Sequence, residues 1–420
     1  MSKNQVKVFK FGGASLRNAA GIRNVGQIVK RYQPAPLMVV VSAMGKTTNA
    51  LEEIVTLAQQ GKPFHHHLEK LKDYHLGVVR ELFARPDEVL GKLDTQWVLL
   101  ENAATQKGEF DQIYDQVVSM GEVISSIILF HFLSTDLEAI WIDSRDFIVT
   151  DDTYREGRVD WKKTRERIGA LREPLETKVG IAQGFIGRTS DGFTTTLGRE
   201  GSDYTAAIFA SCLEAESVTI WKDVPGVMNA DPKRLPAAIV FEELPFKEAA
   251  EMTYYGASVI HPKTIKPLAN QGIPLLVKNF DDPSLPGTRI TECKVESLPP
   301  LIVFKDNQCL ITCKVTDYTF VNEEQLSKIF EALAQLDVKI NLMQNSAITF
   351  SFCVDYRESK VMKLIDALSH HFEVYYNTGL TLITVKNYDS KTFQEYRSKP
   401  GLLLEQSSRS TLQVLIKNPQ

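Results

Sequence analysis

The sequence predicts an α/β protein: a mainly parallel sheet sandwiched between helices, joined to smaller α+β ferredoxin-like repeats. Three observations predict it. Strand-like and helix-like stretches alternate from residue 5 to about residue 279, as in a sheet covered on both faces. The runs at 37–42 and 178–183 are largely apolar, as strands buried on both faces require. After Leu298-Pro299-Pro300 the rhythm changes to a compact βαββα pattern.

Composition bounds the class. At 420 residues the chain has room for two or three domains. A formal net charge of −4 leaves no basic footprint, so no nucleic-acid partner is expected. Five cysteines without regular spacing fit a reducing, cytoplasmic setting rather than a disulfide frame. No apolar run is long enough to span a membrane, so no membrane partner is expected. The strand pattern begins at residue 5 with no signal-type segment before it, so no targeting peptide is expected either.

The first strand, residues 5–11, carries Lys10 near its end and runs into Gly12-Gly13; a helix pattern follows over 19–32. A strand, a glycine turn and a helix in that order let backbone amides cradle phosphate. The turn is neither GxxxxGK[ST] nor GxGxxG. The strand at 37–42 leads through a polar loop to a helix from about residue 50. Residues 62–108 read as charged helices, an excursion from the sheet. His65-His66-His67 lies there; successive helical residues point three ways, so a solvated face is expected and no metal site. The helix pattern at 110–133 holds Glu122, an acid among Val117, Val118, Val123 and Ile127.

Short strands at 139–142 and 147–149, a helix near 161–172 and a strand at 178–183 lead to the central stretch, 194–206. Gly198 and Gly201 allow close backbone approach there, and Arg199 adds a positive fork. A helix pattern starts near Asp203, with Ser202 or Asp203 as its expected cap. A helix start offers free N–H groups and a positive dipole end, which suits a small anion. An ordinary polar strand–helix loop is the other reading of the same residues. A strand at 217–221 then ends beside Lys222, and a turn-rich loop, a helix at 246–256 and a strand at 275–279 follow. Lys10, Ser42, the central stretch and Lys222 all fall at carboxyl ends of strands, where ligands of parallel sheets bind.

Beyond the prolines, strands are expected at 310–315, 339–343 and 348–354. Helix stripes run through Leu326, Ile329, Phe330 and Leu333, and through Val361, Leu364, Ile365 and Leu368. Strands at 380–385, 402–405 and 412–416 begin a second copy that is short of helix. The expected division is 1–298 and 299–420, the second repeat being truncated.

Lys10-Phe11-Gly12-Gly13, Thr195-Thr196-Leu197-Gly198-Arg199, Gly201-Ser202-Asp203-Tyr204-Thr205-Ala206 and Trp221-Lys222-Asp223-Val224-Pro225-Gly226 occur in that order. Together with Ala249-Ala250-Glu251-Met252 and His261-Pro262, they closely resemble the aspartate kinase family over residues 5 to about 290. The resemblance implies an amino-acid-kinase fold with ACT-like regulatory repeats. It implies ATP with Mg²⁺, and phosphorylation of the L-aspartate side-chain carboxylate on the way to lysine, threonine and methionine. Residue by residue, Lys10 matches a phosphate-contacting catalytic lysine and Asp203 the acid that organises the reacting centre. Thr48, Glu122, Arg199 and Ser202 match substrate positions. Gly12, Gly13, Lys222, Asp223, Met228 and Lys233 match nucleotide-side positions. Asn341, Asn345 and Ser346 fall where an amino-acid effector binds. A homodimer or higher homo-oligomer is implied. The region closes at Gln420 with no dinucleotide fingerprint, so no fused homoserine dehydrogenase is expected.

The residue types suit the chemistry. A carboxylate acceptor is already ionised at neutral pH and needs no general base. The obstacle is repulsion between two anions, which positioned cations relieve. Several positions depart from the family pattern: Ala14 for Ser or Thr, Glu200 for Gly, Lys222 for Thr, Met228 for Tyr and Ser258 for Lys. Glu200 is expected to compete with an anionic substrate for Arg199, and Lys222 to replace the charge missing at Ser258. In lysine-inhibited relatives an acid stands near Asn341, so the effector's identity stays open. Two alternatives to an active aspartate kinase follow. One is a catalytically weak amino-acid sensor on the same fold; the other is a related acyl-phosphate-forming kinase.

Overall fold

The computed structural model describes residues 5–257, 260–295, 297–316 and 320–417. They form two compact units. The first comprises Met1–Val227, Val240–Ala250 and Val259–Val295; the second comprises Met228–Ile239, Glu251–Ser258 and Glu296–Gln420. A single cut near residue 298 thus misses two internal segments, 228–239 and 251–257, that belong with the C-terminal part.

The strands of the first unit are β1 (Lys7–Phe11), β2 (Leu37–Val41), β3 (Ala139–Ile142), β4 (Val149–Thr150), β5 (Val179–Gln183), β6 (Ile186–Thr189), β7 (Thr194–Thr196), β8 (Ser217–Lys222), β9 (Glu243–Pro245), β10 (Leu275–Asn279) and β11 (Thr288–Thr291). The large sheet runs β3-β5-β2-β1-β8-β10-β11-β9. It is parallel from β3 to β10, and β11 pairs antiparallel with β10. β4, β6 and β7 form a small separate sheet.

The apolar runs explain the centre of the large sheet. All five residues of β2, Leu-Met-Val-Val-Val, are buried, and so are all five of β5. Helix Ala19–Arg31 buries Ile22, Val25, Ile28 and Val29 on one stripe, and Asn18 caps it by accepting from Gly21 N at 2.9 Å. Each such side chain contributes about 1.5–3 kcal/mol of burial.

The expected helix over 110–133 is two helices, Phe110–Val118 and Met120–Leu133, meeting at Ser119. Among the described residues this is the one stretch with the length and hydropathy of a membrane span, contrary to the sequence reading. It is a core element instead: Val117, Val118, Ile124, Ile128 and Leu129 are wholly buried. Asp115 anchors it, accepting from Thr196 N (2.8 Å), Thr196 Oγ1 (2.7 Å) and Arg155 N (2.9 Å).

Topology places the site. From β1 the chain steps to β2 and outward; from β5 it crosses back through helix Gly201–Leu213 to β8, on the other flank of β1. Strand order therefore reverses at β1, and a crevice opens beyond its carboxyl end.

The second unit contains β12 (Leu301–Lys314), β13 (Ile340–Asn345), β14 (Thr349–Asp355), β15 (Glu373–Lys386), β16 (Leu402–Ser407) and β17 (Thr411–Lys417). They form an antiparallel sheet in the order β13-β14-β12-β15-β17-β16. Helices Glu323–Gln335 and Glu358–Ser369 cover one half, burying Ile329, Leu333, Val361 and Leu364 against Ile311, Phe350 and Phe352. The second copy holds a short helix, Ser390–Arg397, that the sequence reading left out. Only Tyr396 of it is buried, so its apolar stripe is too thin to stand out. All five cysteines are free.

His75 is a buried titratable group in the first unit. Its Nδ1 lies 2.8 Å from Leu71 O and therefore donates; its Nε2 lies 3.3 Å from Thr47 Oγ1 and accepts. Burial pushes its pKa down from 6.5 to about 4. The unfolded chain thus binds a proton near pH 6.5 that the folded chain refuses until about pH 4. This stability is complete above pH 6.5 and is lost progressively as pH falls through that window. Urea unfolding should show a loss of up to about 3 kcal/mol between pH 7 and pH 4 that His75→Gln does not show. Equal acid sensitivity in both proteins would exclude His75 as its source.

Candidate active site

Lys10 stands on β1 between Val40 of β2 and Ile220 of β8. Its ammonium reaches Asp203 Oδ1 at 2.7 Å, and both side chains are nearly enclosed. Lys222, the last residue of β8, brings its ammonium to 3.8 Å from Asp203 Oδ2. One carboxylate thus faces two cations from neighbouring strands. Lys222 is therefore close to Lys10; Ser258, whose charge it was expected to replace, lies outside the described residues.

Asp203 is held by helix Gly201–Leu213, which is buried along almost its whole length. Neither Ser202 nor Asp203 caps this helix. It begins at Gly201, and the cap position belongs to Glu200, with φ 54° and no side-chain cap hydrogen bond. Ser202 and Asp203 lie in its first turn. The Gly201 amide is taken by Gly198 O at 3.0 Å. The next amides belong to the orphan donors that any helix start presents.

Glu200 has a structural partner of its own. A positive φ is a conformation that glycine adopts most readily, in keeping with the glycine that the resemblance leads one to expect at this position. The side chain that replaces it is put to use: Glu200 Oε2 accepts from His261 N at 2.8 Å, tying this loop to the start of helix Pro262–Ala269. One oxygen of its carboxylate is thus committed to a backbone amide. Arg199 itself is exposed on the loop two residues before the helix.

The glycine turn lies beside the lysine. A Cβ at Gly12 would stand 3.5 Å from Lys10 Nζ, and one at Gly13 would strike Ala43 O at 2.6 Å. Gly45 N donates to Gly13 O at 3.0 Å, so the turn and the 43–46 loop are laced together. Thr48, half-buried, sits in the first turn of helix Thr47–Gln59 beyond that loop. Ala14 is exposed.

Glu122 is 3% exposed and accepts from Ala43 N at 3.2 Å through Oε1, while its Oε2 has no partner. Burial raises its pKa to about 8, opposed by the Ala43 amide and the nearby Lys10 charge. A buried carboxylate with an idle oxygen is a ready partner for an incoming ammonium.

Asp223 is exposed on the loop after β8. Met228 and Lys233 fall on the segment that packs with the second unit: Ala230 joins its core, and Lys233 N donates to Asp231 Oδ1 at 2.9 Å. In the second unit Asn341 is already engaged. Its amide donates to Gln308 Oε1 (2.7 Å) and Asp355 Oδ1 (2.9 Å), and its oxygen accepts from Lys305 Nζ (2.8 Å). Asn345, the last residue of β13, and Ser346, at the following turn, are exposed, and Ser346 Oγ pairs with Thr349 Oγ1 at 2.6 Å.

Gly184 escaped the sequence reading. A Cβ there would meet Ser202 Cβ at 2.5 Å, so glycine is what lets the catalytic helix approach the end of β5. A glycine immediately after a buried strand was the available signal.

With this geometry in hand, comparison with known proteins is decisive. Residues 5–279 match the amino acid kinase family. Lysine-sensitive aspartokinase 3 of Escherichia coli is 31% identical over 401 residues, covering 92% of this chain and 88% of that protein. The chain is a member of the aspartokinases. A crystal structure of E. coli aspartokinase III with aspartate and ADP superimposes with a TM-score of 0.82 at 29% identity, covering 98% of this chain and 96% of that one. Against a bifunctional aspartokinase/homoserine dehydrogenase of Arabidopsis thaliana, identity is 30%, and this chain spans 42% of its length. Glu200 and Lys222, two positions where the sequence reading expects departures, both have defined partners: His261 N for Glu200 and the Asp203 carboxylate for Lys222.

Ionised Glu122 is required to hold an ammonium, and with its pKa near 8 it is mostly protonated at pH 7 in the free protein. Aspartate kcat/KM should therefore rise with pH, pass its midpoint at about pH 8 and level off about one pH unit higher. Glu122→Gln, which keeps the bond from Ala43 N, should lower kcat/KM and flatten this limb. An unchanged limb in the variant would remove Glu122 from aspartate recognition.

Proposed function

We propose that this chain transfers the γ-phosphoryl group of ATP to the side-chain carboxylate of L-aspartate, giving ADP and 4-phospho-L-aspartate. The observation that carries this reading is the pair of lysines, Lys10 at 2.7 Å and Lys222 at 3.8 Å, on the carboxylate of Asp203. The pair lies at the carboxyl ends of β1 and β8, where the strand order reverses.

The acceptor carboxylate attacks phosphorus without losing a proton, so no histidine base is needed. Work remains in bringing two anions together, and in-line phosphoryl transfer is mostly positioning and charge stabilisation. Lys10 neutralises phosphate charge, Lys222 adds a second ammonium, and the Gly12–Gly13 turn keeps side chains out of the way. The aspartate zwitterion is gripped at both ends. Arg199 takes a carboxylate through its fork, Glu122 takes the ammonium, and Thr48 and Ser202 supply hydroxyls.

Among the described residues no group of three or more His, Cys, Asp or Glu gathers to hold an ion. That fits Mg²⁺, which keeps waters and phosphate oxygens as ligands and needs only one or two carboxylates. Asp203, which faces Lys10 and Lys222, is the carboxylate that would hold it. When bound, the ion supplies neutralisation of phosphate charge.

The product would feed lysine, threonine and methionine biosynthesis in a cytoplasmic setting. Control by an amino acid belongs to the same proposal, with Asn345 and Ser346 as available contacts. Lysine is a poor fit for Asn341, whose polar atoms are already engaged and which carries no charge for an ammonium. Self-association is proposed through the second unit, where Met343, Ile348, Tyr375 and Tyr376 are exposed.

A coupled ADP-release assay with aspartate, with glutamate and without acceptor tests the reaction. ADP should appear with aspartate alone, and Lys10→Ala should lower turnover about a hundredfold or more. The variant should stay folded, because Lys222 still faces Asp203. Release that ignores the acceptor, or near-normal turnover in Lys10→Ala, would contradict the proposal.

A further inference from the structure

A second cavity lies within the first unit. It has a volume of about 530 Å³, in the range of small-molecule sites. Three helices wall it. Helix Trp161–Gly169 contributes Trp161 and Arg165, four residues apart and hence on one face. Helix Gly201–Leu213 contributes Tyr204 and Ser211, seven apart and again on one face. Helix Pro262–Ala269 contributes Lys263 and Lys266.

The charge is one-sided. Arg165, Lys263 and Lys266 line the cavity, and no carboxylate does. In a chain of net charge −4, three cations lining one cavity with no acid among its lining residues suit an anion from outside, although Arg165 also borders a neighbouring cavity lined by Glu214 and Glu216. The cations come from two helices and three side chains, which suits a dianion better than a single carboxylate. Two of the lining residues are aromatic. Trp161 and Tyr204 meet edge to face, with centroids 6.4 Å apart. Tyr204 is the one residue of its helix that is not buried, although its neighbours in sequence are. A flat ring is the natural companion for such a pair of rings.

We infer that this three-helix cavity is a binding site for a small phosphate monoester carrying a flat ring, separate from the catalytic crevice. Its position gives the site a connection to catalysis. Tyr204 directly follows Asp203 on the same helix. The helix bearing Lys263 and Lys266 starts at His261, whose amide is held by Glu200 at the other helix's cap.

Phenyl phosphate is a suitable probe, because it has the ring and the dianion but no nucleoside. Tryptophan fluorescence of the full chain is titrated with it in the presence of saturating aspartate and without nucleotide. The expected result is saturable quenching that is absent in Trp161→Phe. An Arg165→Glu/Lys266→Glu variant with the same thermal unfolding midpoint should bind about tenfold more weakly or worse. Benzoate and inorganic phosphate should each bind about tenfold more weakly than phenyl phosphate. No saturable response, a response retained in Trp161→Phe, or equal affinity in the charge-reversed variant would overturn the site. Equal affinity for benzoate would overturn its assignment to a phosphate ester.

Discussion

Everything catalytic in this structure depends on a buried charge pair, Lys10 with Asp203, that joins the central strand to the central helix. Such a pair is costly to desolvate, and a pair of apolar residues in the same space would often be as stable. What the charges provide is position. The strand is fixed on both flanks by β2 and β8, and the helix is buried almost from end to end. Neither partner can drift, so the ammonium stays aimed at the crevice. The second lysine at Asp203 Oδ2 lets the carboxylate balance more positive charge than one ion pair would. A polyanionic ligand then meets cations that are already in place, which is the electrostatic preorganisation that phosphoryl transfer rewards.

Much of this was legible in the residues. The apolar runs of β2 and β5 announced strands buried on both faces, and the change of rhythm after Leu298 announced a different architecture. Lys10, Ser42 and Lys222 could be placed at strand ends because strand length and parallel order follow from pattern. The catalytic helix was readable in kind and wrong in detail. Ser202 and Asp203 are good capping types, but capping preference is local. Here a left-handed Glu200 starts the helix and frees both residues to face the crevice and β1. Glu122 could be picked out as an acid among apolar neighbours. Its burial, and the Ala43 amide that meets it, depend on a contact across 79 residues that no local pattern encodes.

The least legible features are those set by which compact unit a loop joins. The loop after β8 looks continuous in sequence, yet residues 228–239 pack with the second unit, through Ala230 in its core and Asn229 bonded to Pro300 O at 2.9 Å. Met228 and Lys233 therefore belong to a different packing environment from Lys222 and Asp223. The same holds for Asn341. In sequence it is a polar residue on a strand; in the structure it is the hub of a cluster with Lys305, Gln308 and Asp355. An internal network of this kind satisfies the polar atoms that a ligand would otherwise use.

The central claim is that Lys10 and Asp203 act as one device rather than as two independent groups. A double-mutant cycle on kcat/KM for aspartate, with Lys10→Met, Asp203→Asn and the double variant, measures this directly. The account predicts strong non-additivity, with the double variant little worse than the more damaged single variant. Losses that simply multiply would contradict it.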